Sequence, residues 1–435
     1  MTPEVPASHT VRPLLLARTL TATGDQAWEM ALPLAIAALY PGDLRVVAAL
    51  WLVLRLAQAV GVQQLAAVID AWPARRVLRT GVLGQTVGVA ATWLTLATLL
   101  ALRQQGLDER WLWPVLAVSQ TTTSLGAALM DVAVAQDWLP RLVPAQELSK
   151  ANVRLRQIDL AAEVLMPVLA GLVLMWAPTP LLGLLAVALW NLLSFVPEYL
   201  LLHKLLRHHP GPRHAYEAAA FSWTARLHLW RSQPVFGAML AYALLWSTVL
   251  TPHGAVLTAY LRSGGGLQEF EVGLFRGLGA LAGVAGAQLH HAVRRRWPLV
   301  VTTRAFVLLQ TGCIGLGATA LQMGWLWPFL LGVIVSRVGL FGFNVGEVEI
   351  RQRGVPDGVR GRVSGLSGSV NQAATLVVLG LAVALPSTAD FPILAWFSAG
   401  AVALAAAVFV VWSKRPAAVA LDEETAAQGL PPLAR

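Results

Sequence analysis

Charge is scarce in this chain. Of its 435 residues only 13% are Asp, Glu, Lys or Arg, about half the roughly 25% of a soluble domain, and 56% are hydrophobic. That balance excludes a globular protein surrounded by water. Cysteine is nearly absent, and the single one, Cys313, allows neither an intrachain disulfide nor a cysteine metal cluster. Strict alternation of apolar and polar residues is rare, while Gly, Pro and Ala are common, which excludes a transmembrane β-barrel. The opening MTPEVPASHTVRP has no charged n-region and no small-residue cleavage site, so no removable signal peptide is expected.

What is there instead is a succession of apolar runs. A hydrocarbon core of ~30 Å takes roughly 20 helical residues to cross, and the sequence predicts twelve such spans. They lie near 12–39, 46–69, 77–102, 112–134, 157–176, 181–205, 234–261, 272–291, 299–322, 325–348, 364–384 and 391–413. The expected fold class is therefore all-α, a polytopic membrane protein.

The formal charge of +9 invites a nucleic-acid reading, which the placement of the basic residues argues against. Arg75, Arg76 and Arg79 follow the second span, and Arg141, Lys150, Arg154 and Arg156 the fourth. Lys204, Arg207, Arg213, Arg226 and Arg231 follow the sixth, Arg294 to Arg296 the eighth, Arg351 to Arg362 the tenth, and Lys414 and Arg415 the last. Odd-numbered loops are nearly bare. By the positive-inside rule both termini and all even loops are cytoplasmic, giving a multi-pass cell-membrane protein with no nucleic-acid partner.

The longest internal polar stretch, LLRHHPGPRHAYEAAAFSWTARLHLWRSQ, divides the spans six and six. The expected organisation is an N-terminal half over 1–204, a cytoplasmic linker over 205–233, a C-terminal half over 234–415 and a cytoplasmic tail over 416–435. Trp223, Leu227 and Trp230 at helical spacing predict an interfacial helix at the end of the linker. A 6+6 chain of this length resembles the major facilitator type, in which cargo sits between the halves near the bilayer midplane.

Polar residues at membrane depth are costly and mark pathways or partners. In TATGDQAWEM of the first span, Asp25 and Glu29 stand four residues apart, and like charges so placed repel unless a cation or proton intervenes. Thr21 and Asp25 share a face, and Gly24 permits close approach. The sixth span, ALWNLLSFVPEYLLLHK, presents Asn191, Ser194 and Glu198 on one face. Gln85 lies in the third span. These oxygen donors form a candidate cation pocket; hard divalent ions favour such ligands and first-row transition metals accept them. The plainer readings are interhelical hydrogen bonding for Asn191 and Ser194 and snorkelling for Glu198. In the seventh span Pro252, His253 and Gly254 predict a broken helix. His253 is either a buried hydrogen-bonding group or the nitrogen ligand that the other half lacks.

The segments GDQAW, QDWLPRLV, SKANVRLRQIDLAAEVLMPVLAG, WNLLSFVPEYLLLHK, SQPVF, SRVGLFGFN and RGRVSGLSGSVN resemble those of ferroportins, the iron exporters, in the same order from the first span to the eleventh. The resemblance covers most of the chain. It implies export of divalent iron by alternating access, with no enzymatic activity and no tightly bound cofactor. Thr21, Asp25, Asn191, Ser194 and Phe195 match the metal-site pattern of bacterial members. Asp25, Gln85, Asn191 and Glu198 match positions that also hold calcium in vertebrate members. Asp70, Asp137, Asn152, Arg156 and Asp159 match positions that close the inner mouth, with Arg294 to Arg296, Arg337 and Arg360 as candidate partners.

Departures from the family pattern shape the expectation. Glu29 stands where vertebrate members carry a His; its carboxylate is the harder ligand and favours iron less clearly over calcium or manganese. The Cys and His of the vertebrate C-terminal-half site appear here as Gly254 and Val378, so hormone control through that Cys is not expected, and His253, beside Gly254, is the candidate replacement ligand. The sequence thus predicts a monomeric Fe2+ exporter, with export of Mn2+, Co2+ or Ni2+ as the alternative. A membrane enzyme using Glu29 and His253 as acid and base is a further alternative, one that no nucleophile or cofactor motif supports.

Overall fold

Apolar residues recur so densely here that nearly every segment can bury a helical face, and in a computed structural model the chain is helical almost throughout. The structure describes residues 7–143, 145–207 and 223–427. Residues 208–222 of the expected linker and 428–435 of the expected tail lie outside the described residues, as does the side chain of Asp70. The one β-type pairing among the described residues is an isolated bridge between Asp43 and Ser387.

The helices are α1 (Ala7–Leu39), α2 (Arg45–Ala71), α3 (Ala74–Gln104), α4 (Leu112–Val132), α5 (Leu139–Leu142), α6 (Ala145–Trp176), α7 (Pro180–Leu206), α8 (Trp223–Arg231) and α9 (Phe236–Leu244). They continue with α10 (Ala255–Ser263), α11 (Glu269–Arg294), α12 (Leu299–Gln322), α13 (Leu326–Gly354), α14 (Asp357–Ala384), α15 (Phe391–Trp412) and α16 (Pro416–Ala427). Between α4 and α5 the chain passes through a π-helical turn, Ala133–Trp138.

Among the described residues, eight helices are long and apolar enough to cross a membrane, not the twelve that the apolar runs predict. The expected first span forms a single helix, but Arg12, Arg18, Asp25 and Glu29 interrupt its apolar character. The fourth carries Ser119, Gln120, Thr121, Thr122, Thr123 and Ser124 in succession. The seventh is split, since α9 ends at Leu244 and α10 begins at Ala255. The helical break expected around Pro252 is therefore present, and ten residues wide.

The chain forms two compact units. The first comprises Met1–Pro41, Ala49–Ala218 and Gly266–Gly277. Within it α1 packs on α6 and α7, and α3 on α4 and α7. Small residues bring these helices close: a Cβ on Gly126 would lie 2.9 Å from Gly81 O and 3.1 Å from Gln85 Cγ. Gln85 is thereby pinned inside the α3–α4 seam and has no exposure at all.

The second unit comprises Gly42–Ala48, Ala219–Gly265 and Leu278–Arg435. Here α12 packs along α13, and α15 on α9 and α12. The break between α9 and α10 is supported from outside the helix. Val249 N donates to Ser398 Oγ at 3.1 Å, and the buried Arg337 guanidinium donates to Leu250 O at 3.3 Å. A broken membrane helix must find such partners, because lipid offers none.

Candidate metal centre

Local helix geometry places the donors of the first unit. Thr21 and Asp25 are four residues apart on α1 and so share a face. Asn191, Ser194 and Glu198 repeat at helical spacing on α7. The two helices meet with Glu198 beside Thr21 and Asn191 beside Gly24. Thr21 Oγ donates to Ala17 O at 3.0 Å and lies close to the Glu198 carboxylate. Asn191 Nδ2 donates to Gly24 O at 2.8 Å, and Ser194 Oγ donates to Asn191 O at 2.7 Å.

The oxygens left over are the informative ones. Gln85, Asn191 and Glu198 are each at most 1% exposed. Yet both polar atoms of the Gln85 amide, Asn191 Oδ1 and Glu198 Oε2 have no hydrogen-bond partner. A buried polar atom without a partner costs roughly 1–3 kcal/mol, so four of them, on three residues of the packed helices α3 and α7, call for a ligand. Asp25, on α1 beside Asn191 and Glu198, feels the charges of Asp131, Glu198 and Glu29 as well as that of Arg18. Phe195, 2% exposed, forms apolar packing on the same helix. Among the described residues no three His, Cys, Asp or Glu side chains converge as a metal cluster. The donor set rests on amide and hydroxyl oxygens around Asp25 and Glu198.

Asp25 also opens onto a cavity of about 280 Å³ within the first unit, lined among others by Arg18, Glu29, Gln120, Asp131, Arg156, Asp159 and Glu163. Glu29 lies on the far side of Asp25 from Glu198. Its carbonyl accepts from Arg276 Nη1 at 3.3 Å, and Arg276, fully buried, is set between the charges of Glu29 and Glu163. Glu29 therefore belongs with Glu163 and Arg276, one turn removed from the Asn191–Glu198 group.

The expected gate residues divide in the same way. Asn152 and Arg156 are exposed. Asp137 is buried and pairs with Arg141 at 2.5 Å. Asp159 accepts from Arg18 Nε at 2.6 Å. Of the cations expected to face them, three have partners inside the second unit. Arg337 holds Leu250 O, Arg360 pairs with Asp357 at 2.6 Å, and Arg294 lies 3.8 Å from Glu349. His253 is half-buried in the non-helical stretch before α10.

Arg18, Asp131, Glu163 and Arg276 line or cap the site and were not singled out from the sequence. The signal was available, since each is an ionisable residue inside or at the edge of an apolar run. Arg18 in particular precedes Thr21 by one helical turn.

The family model described as Ferroportin1 (FPN1) matches residues 8–220 and 212–402. Ferreportin of Bdellovibrio bacteriovorus is 39% identical over 419 residues, covering 93% of this chain and 95% of that protein. The crystal structure of a bacterial homologue of the iron transporter ferroportin in its inward-facing state superposes with a TM-score of 0.85 at 37% identity, covering 94% of this chain and 100% of that one. The outward-facing state with soaked iron superposes at 0.63, again at 37% identity, over 93% of this chain and 99% of that one. On the extent of both the family match and the bacterial relative, the chain belongs to the ferroportin family.

Proposed function

We propose that the protein is a divalent-iron exporter that moves Fe2+ out of the cytoplasm by alternating access of two halves, 1–204 and 234–415. The observation that carries this reading is the pair of buried, unpartnered oxygens of Asn191 and Glu198 packed on α7 beside Asp25, with the equally unpartnered amide of Gln85 on the adjoining α3. In this reading Thr21, Asp25, Asn191, Ser194 and Glu198 hold the ion, Phe195 shapes the apolar wall, and Glu29 tunes the field one turn away. Asp70, Asp137, Asn152, Arg156 and Asp159 serve the inner gate with Arg337 and Arg360. Membership of a family whose relatives are named as transporters favours transport over the membrane-enzyme alternative.

One observation favours a second cargo. Every donor around Asp25 is an oxygen, a set that suits Mn2+ and Ca2+ at least as well as Fe2+. His253 supplies imidazole, which would restore preference for Fe2+, Co2+ or Ni2+. Calcium then occupies the pocket of Asp25, Gln85, Asn191 and Glu198 as a competing or activating ion. The deciding experiment uses the purified full chain in sealed vesicles containing no other protein. Influx or efflux of Fe2+, Mn2+, Co2+ and Ca2+ is followed separately, and a protein that moves none of them is not a metal exporter.

A further inference from the structure

The acidic cavity beside Asp25 already contains a cation. Arg18 bridges three helices: on α1 itself, it reaches Asp131 at the end of α4 through Nη1 and Asp159 on α6 through Nε. Its side chain is 17% exposed, that of Asp159 19% and that of Asp131 49%. Arg18, Thr21 and Asp25 stand three and four residues apart, so they follow one another along a single face of α1. Arg18 lies close enough to act on the charges of both Asp25 and Glu198. All four groups, Arg18, Asp25, Asp131 and Asp159, line one cavity.

We infer that Arg18 is a tethered cation that occupies the Asp131–Asp159 end of the acidic cavity and limits how tightly the pocket at Asp25 takes up a divalent metal ion. The inference rests on the metal-binding reading of that pocket and adds a residue that sets its affinity. The physical reason is the sign and range of the field. A guanidinium within the same low-dielectric cavity repels an incoming dication and cancels two carboxylates that would otherwise attract it. The planar fork of Arg suits this bridge because it reaches two carboxylates from one rigid group. A transporter must also release its cargo, and a pocket surrounded only by carboxylates would hold a divalent ion too long. Arg18 keeps the neighbouring carboxylates available to a passing ion only when it gives one of them up. It is a positioning and specificity residue, acting through Asp131 and Asp159 without touching the ion.

The test measures Mn2+ binding, a redox-stable divalent probe, by calorimetry on the full-length protein in detergent. Arg18→Gln should bind Mn2+ roughly tenfold more tightly. Arg18→Lys, which keeps the charge, should stay near the parent, and Asp131→Asn should bind more weakly. A merely structural bolt predicts the same sign for Arg18→Gln and Asp131→Asn, since either change would loosen the helices. A folded Arg18→Gln protein that binds Mn2+ like the parent or more weakly overturns the inference. Should Arg18→Gln fail to fold, Arg18→Gln/Asp131→Asn is compared with Asp131→Asn alone. The double variant should again bind roughly tenfold more tightly, and equal or weaker binding overturns the inference. Asp25→Asn separates the two readings. If it binds Mn2+ like the parent, the pocket assignment fails. If it loses Mn2+ while Arg18→Gln shows no gain, only the role of Arg18 fails.

Discussion

Asn191 and Gly24 are locked together. The amide Nδ2 donates to Gly24 O at 2.8 Å, and a Cβ on Gly24 would lie 2.5 Å from Asn191 Oδ1. The glycine is what lets the amide oxygen sit against α1 at the level of Asp25. Gly24→Ala should therefore displace Asn191 while improving helix propensity by roughly 1 kcal/mol. The expected outcome is a well-folded protein whose Mn2+ affinity falls at least as far as that of Asn191→Ala. Calorimetry on both variants checks this, and an unimpaired Gly24→Ala protein would remove Asn191 from the ligand set.

Asp25 and Glu29, alike in sequence, should differ in effect. Asp25→Asn keeps the shape and removes the charge beside Glu198 and Asn191. It should cost more than the roughly 10–100-fold lost when a partner outside the ligand shell is changed. Glu29→Gln acts among Glu163 and Arg276 and should stay within that smaller range. Equal losses would place Glu29 on the ion itself.

Gln85 offers a test with opposite signs for stability and for binding. Its buried amide has no hydrogen-bond partner, so Gln85→Leu removes an unsatisfied group costing roughly 1–3 kcal/mol. The metal-free variant should melt at a higher temperature than the metal-free parent. Saturating Mn2+ or Ca2+ should then raise its melting point less than that of the parent. Thermal melts with and without metal decide it. A metal-free variant no more stable than the parent, together with an undiminished metal shift, would make Gln85 an ordinary packing residue.

Topology is open to a direct check. A reporter active only in the cytoplasm should work when fused after Arg435 or after Arg213, and should fail at Asp108. Activity at Asp108 would overturn the orientation derived from the basic loops.

His253 should affect cargo choice more than capacity. Imidazole is a good ligand for Fe2+ and Co2+ and a poor one for Ca2+. His253→Ala should slow Co2+ transport while leaving Ca2+ binding at the Asp25 pocket unchanged. Parental Co2+ transport in a folded His253→Ala protein would return all cargo chemistry to the first unit.

Helical class, membrane residence and the break near Pro252 were legible because each depends on local composition. The spacing of Asn191, Ser194 and Glu198 also sufficed to place them on one helical face. Span counting went less far. The first helix carries four charges inside an apolar run, and the fourth carries a polar block, and neither is a uniform hydrophobic rod. The ionic partners were illegible for a different reason. Arg18 meets Asp131 and Asp159 across 113 and 141 residues of chain, and no local pattern encodes a pairing at that distance. Arg337 shows the same limit. Inside the expected tenth span it reads as a candidate gate partner, and its contact with the Leu250 carbonyl, 87 residues away in the chain, leaves no local signal.

The interrupted segment has a consequence for the surrounding lipid. Helices α9 and α10 have nine residues each, so each is about 13 Å long, less than half of a ~30 Å hydrocarbon core. Neither presents a continuous apolar cylinder of its own to match against acyl chains. Their ten-residue junction relies on Ser398 and Arg337 for backbone partners, which commits it to a protein-shielded position. Hydrophobic length in this unit is then set by its long helices α12, α13, α14 and α15. The α9–α10 segment is therefore positioned by Ser398 and Arg337 more than by acyl-chain length.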